Sequence, residues 1–172
     1  MSVTPFVEAS MDKFMRLAEE FRDESDRGCA VLAVCVLEEM LATIVVKAVS
    51  GAKLARQNLA PPGRLSLAIE NAEMLGLIGA DEAKSFKALV KIRNEFAHGV
   101  KEGLTFQTER IALLCRDLPL PVPEAVKTEV VDIRALTPRS KFLITASLIQ
   151  FVQAIRFDKV VPFPVPMILQ YA

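Results

Sequence analysis

The sequence predicts an all-α protein, a single-domain bundle of five to six helices over residues 1–172 with an extended, proline-rich C-terminal tail. Most segments repeat apolar residues at the three- and four-residue spacing of one helix face. Glycine or proline stands where these patterns stop, as at Gly51, Gly99 and Pro119. Residues 126–133 are rich in β-branched side chains but have no obvious partner strand, so we expect them to be irregular. The helix starts are predicted from capping residues: Thr4, Ser25 or Asp26, Asp81, Thr105 or Thr108, and Thr137.

The first two predicted helices cover residues 5–22 and about 26–50. The first is amphipathic, whereas residues 28–46 of the second are apolar on nearly every face. A run of this length could span a membrane, but Glu38 and Glu39 at its centre argue against that. We therefore expect the second helix at the centre of the bundle, with the other helices around it and no membrane involved.

Glu38 is the charged residue of this central helix that needs an explanation. It shares a stripe with apolar residues such as Val34 and Leu41, and a partly buried carboxylate requires a cation. We predict that Arg93 is this cation, so that Arg93 and Glu38 form a structural ion pair. The alternative is that Glu38 and Glu39 both face solvent at one edge of the helix.

Residues 51–63 are expected to form a connector with about one helical turn, and two helices joined by a glycine-containing turn follow it. Residues 64–74 form a short helix, residues 75–79 an apolar turn, and residues 81–98 the next helix. This arrangement invites comparison with a DNA-binding helix-turn-helix, whose second helix presents polar side chains to a groove. A helical hairpin is preferred, because the second helix carries core-type residues: Phe86, Leu89, Val90 and Phe96.

The last part of the chain adds two helices and the tail. One helix is expected to end near Leu118 and the other to run from Pro138 to about residue 157. Residues 158–172 are apolar with proline at alternate positions, which forbids a helix and favours an extended strip. Such a strip lies either across its own domain or across a second subunit. The tail therefore suggests a homodimer.

Composition narrows the function classes. The chain has 21 basic and 21 acidic residues, without the basic excess that a dedicated duplex-DNA-binding domain usually shows. Cys29, Cys35 and Cys115 lie in apolar helical stretches and are predicted to be reduced core residues. A single histidine and the lack of a Cys-x-x-Cys pair argue against a metal site, and no cofactor is expected. Without a basic start followed by an apolar run, the prediction is a cytoplasmic protein.

Residues 91–98 carry the candidate functional side chains. Wound as a helix, they place Arg93 inside the apolar arc, where an unpaired guanidinium is costly. His98 is the only histidine and precedes Gly99, which places it at a helix C-terminus. A histidine can act as general acid or base, and an arginine beside it can stabilise charge on a phosphorane. Together they could cleave RNA without a metal by activating the 2′-hydroxyl.

The sequence leaves two interpretations of these residues open. Five residues advance a helix by ~140°, so one helix does not easily aim Arg93 and His98 at one phosphate. A two-fold dimer that brings two such helix ends together would solve that geometry. Alternatively, Arg93 neutralises Glu38, Asn94 caps a local backbone group, and His98 offsets the helix dipole.

The same segment carries a resemblance to known families. Residues 92–98 (IRNEFAH) resemble the Arg-polar-x-x-x-His signature of HEPN domains, an all-helical family with many RNA-cutting members. The wider stretch is similar to the mannitol operon repressor family of bacterial regulators over roughly residues 27–118. The motifs behind this likeness are GRL at 63–65, LGLI at 75–78, IRNEFAH at 92–98 and TF at 105–106.

The resemblance implies an all-helical, dimeric bacterial protein. The repressor-like family implies a role in transcription regulation through protein–protein contacts, without a DNA-binding module of its own, and this is the first functional hypothesis. The HEPN enzymes imply active-site roles for Arg93, Asn94 and His98. The second hypothesis is therefore a metal-independent ribonuclease that uses these residues at a dimer interface, with RNA as its ligand. Whether the chain is an enzyme stays open between the two.

Overall fold

The computed structural model describes residues 21, 23–49, 51–99, 103–119 and 136–163. Over these residues the chain is all-helical, as predicted, with six helices and no strand. In chain order the helices are α1 Asp26–Ala48, α2 Ala52–Asn58, α3 Leu65–Met74, α4 Ala80–His98, α5 Glu109–Arg116 and α6 Pro138–Lys159. The predicted helix over residues 5–22 lies outside the described residues apart from its end, as do residues 126–133 and 164–172.

Helix α1 lies at the centre of the bundle and contacts α2, α3, α4 and α6. Its apolar composition is explained by these neighbours, since residues on several sides of it are buried. By length and composition α1 would also pass as a membrane-spanning helix, a test that a buried core helix passes equally well. Half of its most apolar window is buried inside the protein.

The helix starts follow the capping residues only in part. The Ser25 hydroxyl accepts a hydrogen bond from the Gly28 amide at 3.0 Å, and the Thr137 hydroxyl accepts one from the Ser140 amide at 3.1 Å. The prediction that Asp81 caps α4 is wrong, because Gly79 occupies the N-cap position. Asp81 lies in the first turn, where its carboxylate pairs with Lys84 and meets the positive end of the helix dipole.

Three phenylalanine rings connect three parts of the fold, namely α4, the loop that precedes α5, and helix α6. The ring centroids of Phe96 and Phe106 are 4.9 Å apart, and those of Phe106 and Phe142 are 5.3 Å apart. All three side chains are buried. The burial of Phe96 also supports the helical hairpin over the helix-turn-helix, because this face of α4 is not available to a DNA groove.

The cysteines differ from the prediction in one case. Cys29 and Cys115 are buried, and burial raises the pKa of the Cys29 thiol to about 11 and that of Cys115 to about 12. Cys35 is exposed, so the prediction that it is a core residue is wrong. Its position on α1 faces away from the neighbouring helices, which the nearly uniform apolar character of α1 concealed.

The C-terminal segment starts later than predicted. Helix α6 continues to Lys159 because the Val160 amide still donates to the Arg156 carbonyl at 2.8 Å. Residues 160–163 are non-helical, and the Phe163 amide donates to the Ala48 carbonyl at the end of α1 at 2.8 Å. The start of the tail therefore lies against its own chain.

Candidate functional site

Arg93, Asn94 and His98 all line one open cleft between the last turns of α4 and the start of α3. The cleft has a volume of about 410 Å³. Its other lining residues are Gly63, Arg64, Leu65, Ser66, Leu67 and Val90. The three residues predicted from the sequence are thus brought together within one chain, on one surface.

The geometry of α4 explains why Arg93, Asn94 and His98 line the same cleft. At ~100° per residue, Arg93 and His98 lie ~140° apart on α4, with Val90 and Asn94 between them. The cleft extends over this whole arc because the segment entering α3 runs beside it. The long arginine side chain can reach inward from one edge of the arc while the exposed His98 stands at the other.

The structure does not bring Arg93 and Glu38 together as an ion pair. The Glu38 Oε1 atom instead accepts a hydrogen bond from the Gly63 amide at 2.7 Å. Its neighbour Glu39 is exposed and pairs with Arg56 at 2.6 Å. None of the ion pairs between described residues involves Arg93. The Glu38 carboxylate therefore holds the loop before α3 in place. Arg93 has no carboxylate partner among the described residues and lines the cleft.

Arg93 carries an unmet hydrogen-bonding group. Its Nε atom is fully enclosed and has no hydrogen-bond partner. A buried donor without an acceptor costs about 1–3 kcal/mol, and more when it is charged. The lining residues include a second arginine, Arg64, and no aspartate or glutamate. The residues that line the cleft therefore carry two guanidinium groups and no carboxylate.

The end of α4 is held in place from both sides. The Arg27 guanidinium donates to the Gly99 carbonyl at 2.7 Å, and Glu95 pairs with Arg110 at 2.7 Å. Gly99 admits no larger residue without a shift, since a Cβ there would lie 2.1 Å from the Leu104 side chain and 2.7 Å from the Glu95 carbonyl oxygen. This tight exit fixes where His98 stands.

The sequence analysis did not identify the α3 side of the cleft. Arg64 and Ser66 line it together with Leu65 and Leu67. The available signal was a helix start with no capping residue, directly after the Pro61-Pro62-Gly63 break. No cluster of three or more potential metal-binding side chains occurs among the described residues.

Comparison with family models, with curated proteins and with solved structures finds no match to this chain.

Proposed function

We propose that this protein is a metal-independent ribonuclease whose active site is the cleft containing Arg93, Asn94 and His98. The single observation that carries the proposal is that all three line one open cleft whose arginine has no carboxylate partner among the described residues. A partnered Arg93 would have favoured a purely structural role.

The reaction assigns one role to each side chain. His98 removes the proton of a ribose 2′-hydroxyl, and the 2′-oxygen attacks the adjacent phosphorus. Arg93 donates to the phosphate oxygens as negative charge builds up on them. The bond from phosphorus to the 5′-oxygen breaks, and that oxygen takes a proton from water. The products are a 2′,3′-cyclic phosphate and a 5′-hydroxyl end, and Asn94 holds the phosphate with its amide.

Arg93 supports this role through its energetics. The Arg93 guanidinium forms no ion pair with a described residue, so a phosphate oxygen that binds its terminal nitrogens gains a charge-assisted hydrogen bond without breaking an ion pair within the protein. The resemblance to the HEPN signature assigns the same three residues to an active site. In that family's arrangement two subunits act together, and we include a homodimer in the proposal.

The test is cleavage of a 5′-labelled single-stranded RNA in EDTA. We expect wild type to produce 2′,3′-cyclic phosphate ends, and His98→Ala and Arg93→Ala to lower the rate by about 10²–10⁴-fold. Lys91→Ala is the matched control, because Lys91 is exposed on α4 and does not line the cleft. Thermal unfolding checks that each variant is folded.

Two results would refute the ribonuclease. One is intact RNA after incubation with wild type on substrates of varied sequence. The other is equal cleavage by wild type and folded His98→Ala, which would trace the activity to a contaminant.

A second candidate function is the bacterial regulator that resembles the mannitol operon repressor family and acts through protein–protein contacts. The observation that favours it is a set of exposed large apolar side chains: Leu32, Leu54, Met74, Leu113, Phe151, Val161 and Phe163. Transcript levels in cells carrying His98→Ala or Phe151→Glu distinguish the two functions. A regulator keeps its effect in the first variant and loses it in the second, whereas a ribonuclease does the reverse.

A further inference from the structure

We infer that the exposed face shared by α1 and α6 is the contact surface of a homodimer, in which a second copy of this chain packs its own α1 and α6 against it. We call this surface the α1–α6 face and define it by Leu32, Cys35, Val36 and Thr43 of α1 and Phe151 of α6. The proposed function includes a homodimer but assigns no surface to it. None of the five residues lines the cleft, so the dimer contact and RNA cleavage are separable.

Helices α1 and α6 lie side by side and run in the same direction. At their starts, the Asp26 carboxylate pairs with Arg139 at 2.6 Å. At their ends, the Lys47 ammonium donates to the Phe157 carbonyl and lies 4.2 Å from the centre of the Phe157 ring. The two helices have nearly equal lengths of 23 and 22 residues, so they form a pair along their whole length.

Helix α4 covers one side of this pair, and the α1–α6 face is the other side. Helix α4 contacts both α1 and α6, and its Glu82 binds Arg156 of α6 at 2.6 Å. At ~100° per residue, Phe151 lies ~140° around α6 from Arg156. By the same measure, Leu32 lies ~120° around α1 from Glu38, which holds the loop before α3. Both apolar side chains therefore point away from these neighbours, and Leu32 is 40% exposed and Phe151 41%.

The α1–α6 face is unusually apolar for a surface in contact with water. Only half of the most apolar stretch of α1 is buried inside the protein. The residues of α1 that define the face recur at the three- and four-residue spacing that one helix presents to another. Burying a side chain such as Leu32 or Phe151 contributes ~1.5–3 kcal/mol. The face therefore gains free energy from an apolar partner.

The charge of the face favours a second copy as that partner. Residues 142–155 of α6 contain no charged side chain. On the exposed arc of α1 between Leu32 and Thr43, the charged residue is Glu39, and it pairs with Arg56 at 2.6 Å. In a two-fold interface the same surface meets itself, so a patch of one charge would meet like charge. A neutral face avoids this repulsion and offers no charge pattern that would select a charged partner.

The face also has about the area that a stable dimer needs. At 1.5 Å per residue, helices of 23 and 22 residues are about 33–35 Å long, and two packed helices are about 20 Å wide. Each subunit therefore contributes about 600–700 Å², within the ~600–1,000 Å² per partner of stable interfaces. The exposed side chains of Val161 and Phe163 extend the face, because the Phe163 amide donates to the Ala48 carbonyl at the end of α1.

A two-fold dimer over this face places two helices from each chain in one four-helix arrangement. The residues that line the cleft belong to the loop before α3, to α3 and to α4, and none belongs to α1 or α6. Each subunit therefore keeps one complete cleft.

Sedimentation equilibrium of the full chain, without RNA, tests the interface. We expect wild type at micromolar concentration to approach twice the chain mass of 18.9 kDa. Leu32→Glu and Phe151→Glu should each weaken association at least ~100-fold, because each places an unpaired carboxylate in the buried centre of the contact. The two changes lie on different helices, and thermal unfolding checks that both variants are folded.

Met74→Glu is the matched control for these variants. Its side chain is 73% exposed, but it lies at the end of α3, outside the α1–α6 face. The same substitution of an exposed apolar residue by glutamate should leave this variant dimeric. A dimer that Met74→Glu disrupts, and that Leu32→Glu and Phe151→Glu leave intact, would overturn the assignment.

The rate at which iodoacetamide modifies Cys35 gives a second readout. Because the contact covers Cys35, modification proceeds through the monomer, and its rate should fall as the protein concentration rises. In Leu32→Glu the rate should be independent of concentration. A rate in wild type that does not change with concentration, across the range in which the dimer forms, would place the contact elsewhere.

Vesicles of phosphatidylcholine and phosphatidylglycerol distinguish a second copy from a lipid surface. A monomeric wild type that co-sediments with these vesicles, while Leu32→Glu stays in solution, would assign the face to lipid and overturn the dimer. A monomeric wild type without vesicle binding would overturn it as well. A dimer that Leu32→Glu dissociates, in a protein that cleaves no RNA, would sustain the interface and refute the ribonuclease, whereas a monomer that cleaves RNA would do the opposite.

Discussion

Arg93 is a residue at which the fold carries a local cost in stability. A paired guanidinium would stabilise the junction of α1 and α4, yet this one keeps an enclosed donor without a partner. A buried donor without an acceptor lowers stability, so a side chain of similar volume without that donor should be tolerated here.

We predict that Arg93→Met leaves the free energy of unfolding unchanged or raises it by about 1–2 kcal/mol. The substitution keeps most of the side-chain volume and removes the unmet donor. Urea denaturation measures the change, with Lys91→Met on the exposed face of α4 as a control expected within about 0.5 kcal/mol of wild type. A loss of about 3 kcal/mol or more would instead indicate a buried ion pair.

The three thiols should separate by reactivity. Because burial raises the pKa of Cys29 to about 11 and of Cys115 to about 12, both are almost fully protonated and shielded at pH 8. Iodoacetamide should therefore add one group per native chain, at the exposed Cys35, and three groups in urea. Intact mass and peptide mapping count and locate the labels. Labelling of Cys115 before Cys35 in the native protein would contradict the assignment.

At the level of elements, the α3–α4 hairpin forms the cleft with a helix start on one wall and a helix end on the other. The start of α3 contributes Arg64 and Ser66, and α4 contributes Arg93, Asn94 and His98. The exit of the chain at Gly99 fixes the second wall, because Arg27 binds its carbonyl and Leu104 crowds its α-carbon.

Gly99→Ala should therefore destabilise the protein by about 1–3 kcal/mol, the usual cost of forcing an additional carbon into a filled space. It should also lower RNA cleavage, since the shift displaces His98. The matched control is Gly79→Ser at the start of α4, where there is open space and an N-cap serine is favourable, so stability should stay level or rise slightly. Differential scanning calorimetry of the two variants decides the matter, and equal melting temperatures would count against the crowding.

At the level of the whole molecule, α6 is tied to the beginning of α1 over a large sequence separation. Arg139 pairs with Asp26 at 2.6 Å and also donates to the carbonyls of Phe21 and Glu24. Asp26 in addition accepts from the Phe106 amide at 2.7 Å. One ion pair thus joins α6, the start of α1 and the loop before α5.

Arg139→Met should lower the free energy of unfolding by about 2–4 kcal/mol, because it leaves a half-buried carboxylate without its cation. The double variant Asp26→Asn/Arg139→Met should recover part of this loss, since the asparagine oxygen can still accept from Phe106. Guanidinium denaturation of the double variant and of both single variants measures the difference. If the double variant were as unstable as the sum of its single changes, the two residues would not be coupled.

Local information along the chain was sufficient for the all-helical class, for most helix bounds and for the choice of Arg93, Asn94 and His98 as candidates. Apolar spacing, capping residues and helix-breaking residues act within a few residues of one another, so they can be recognised in the sequence alone. Boundaries shifted where local signals competed, as at Asp81 and at the end of α6.

Three features depend on which segments fold against one another. They are the partner of Glu38, the exposure of Cys35, and the contribution of Arg64 and Ser66 to the cleft. Glu38 and Gly63 are 25 residues apart, and no local pattern in either segment marks the other as its partner. The sequence around Arg93 is consistent both with an ion pair to Glu38 and with a place in an open cleft. In the structure, Glu38 binds the loop before α3 instead. The helix pattern was sufficient to identify the candidate residues, whereas their surroundings arise from contacts between distant segments, and those contacts decide which side chains line the cleft.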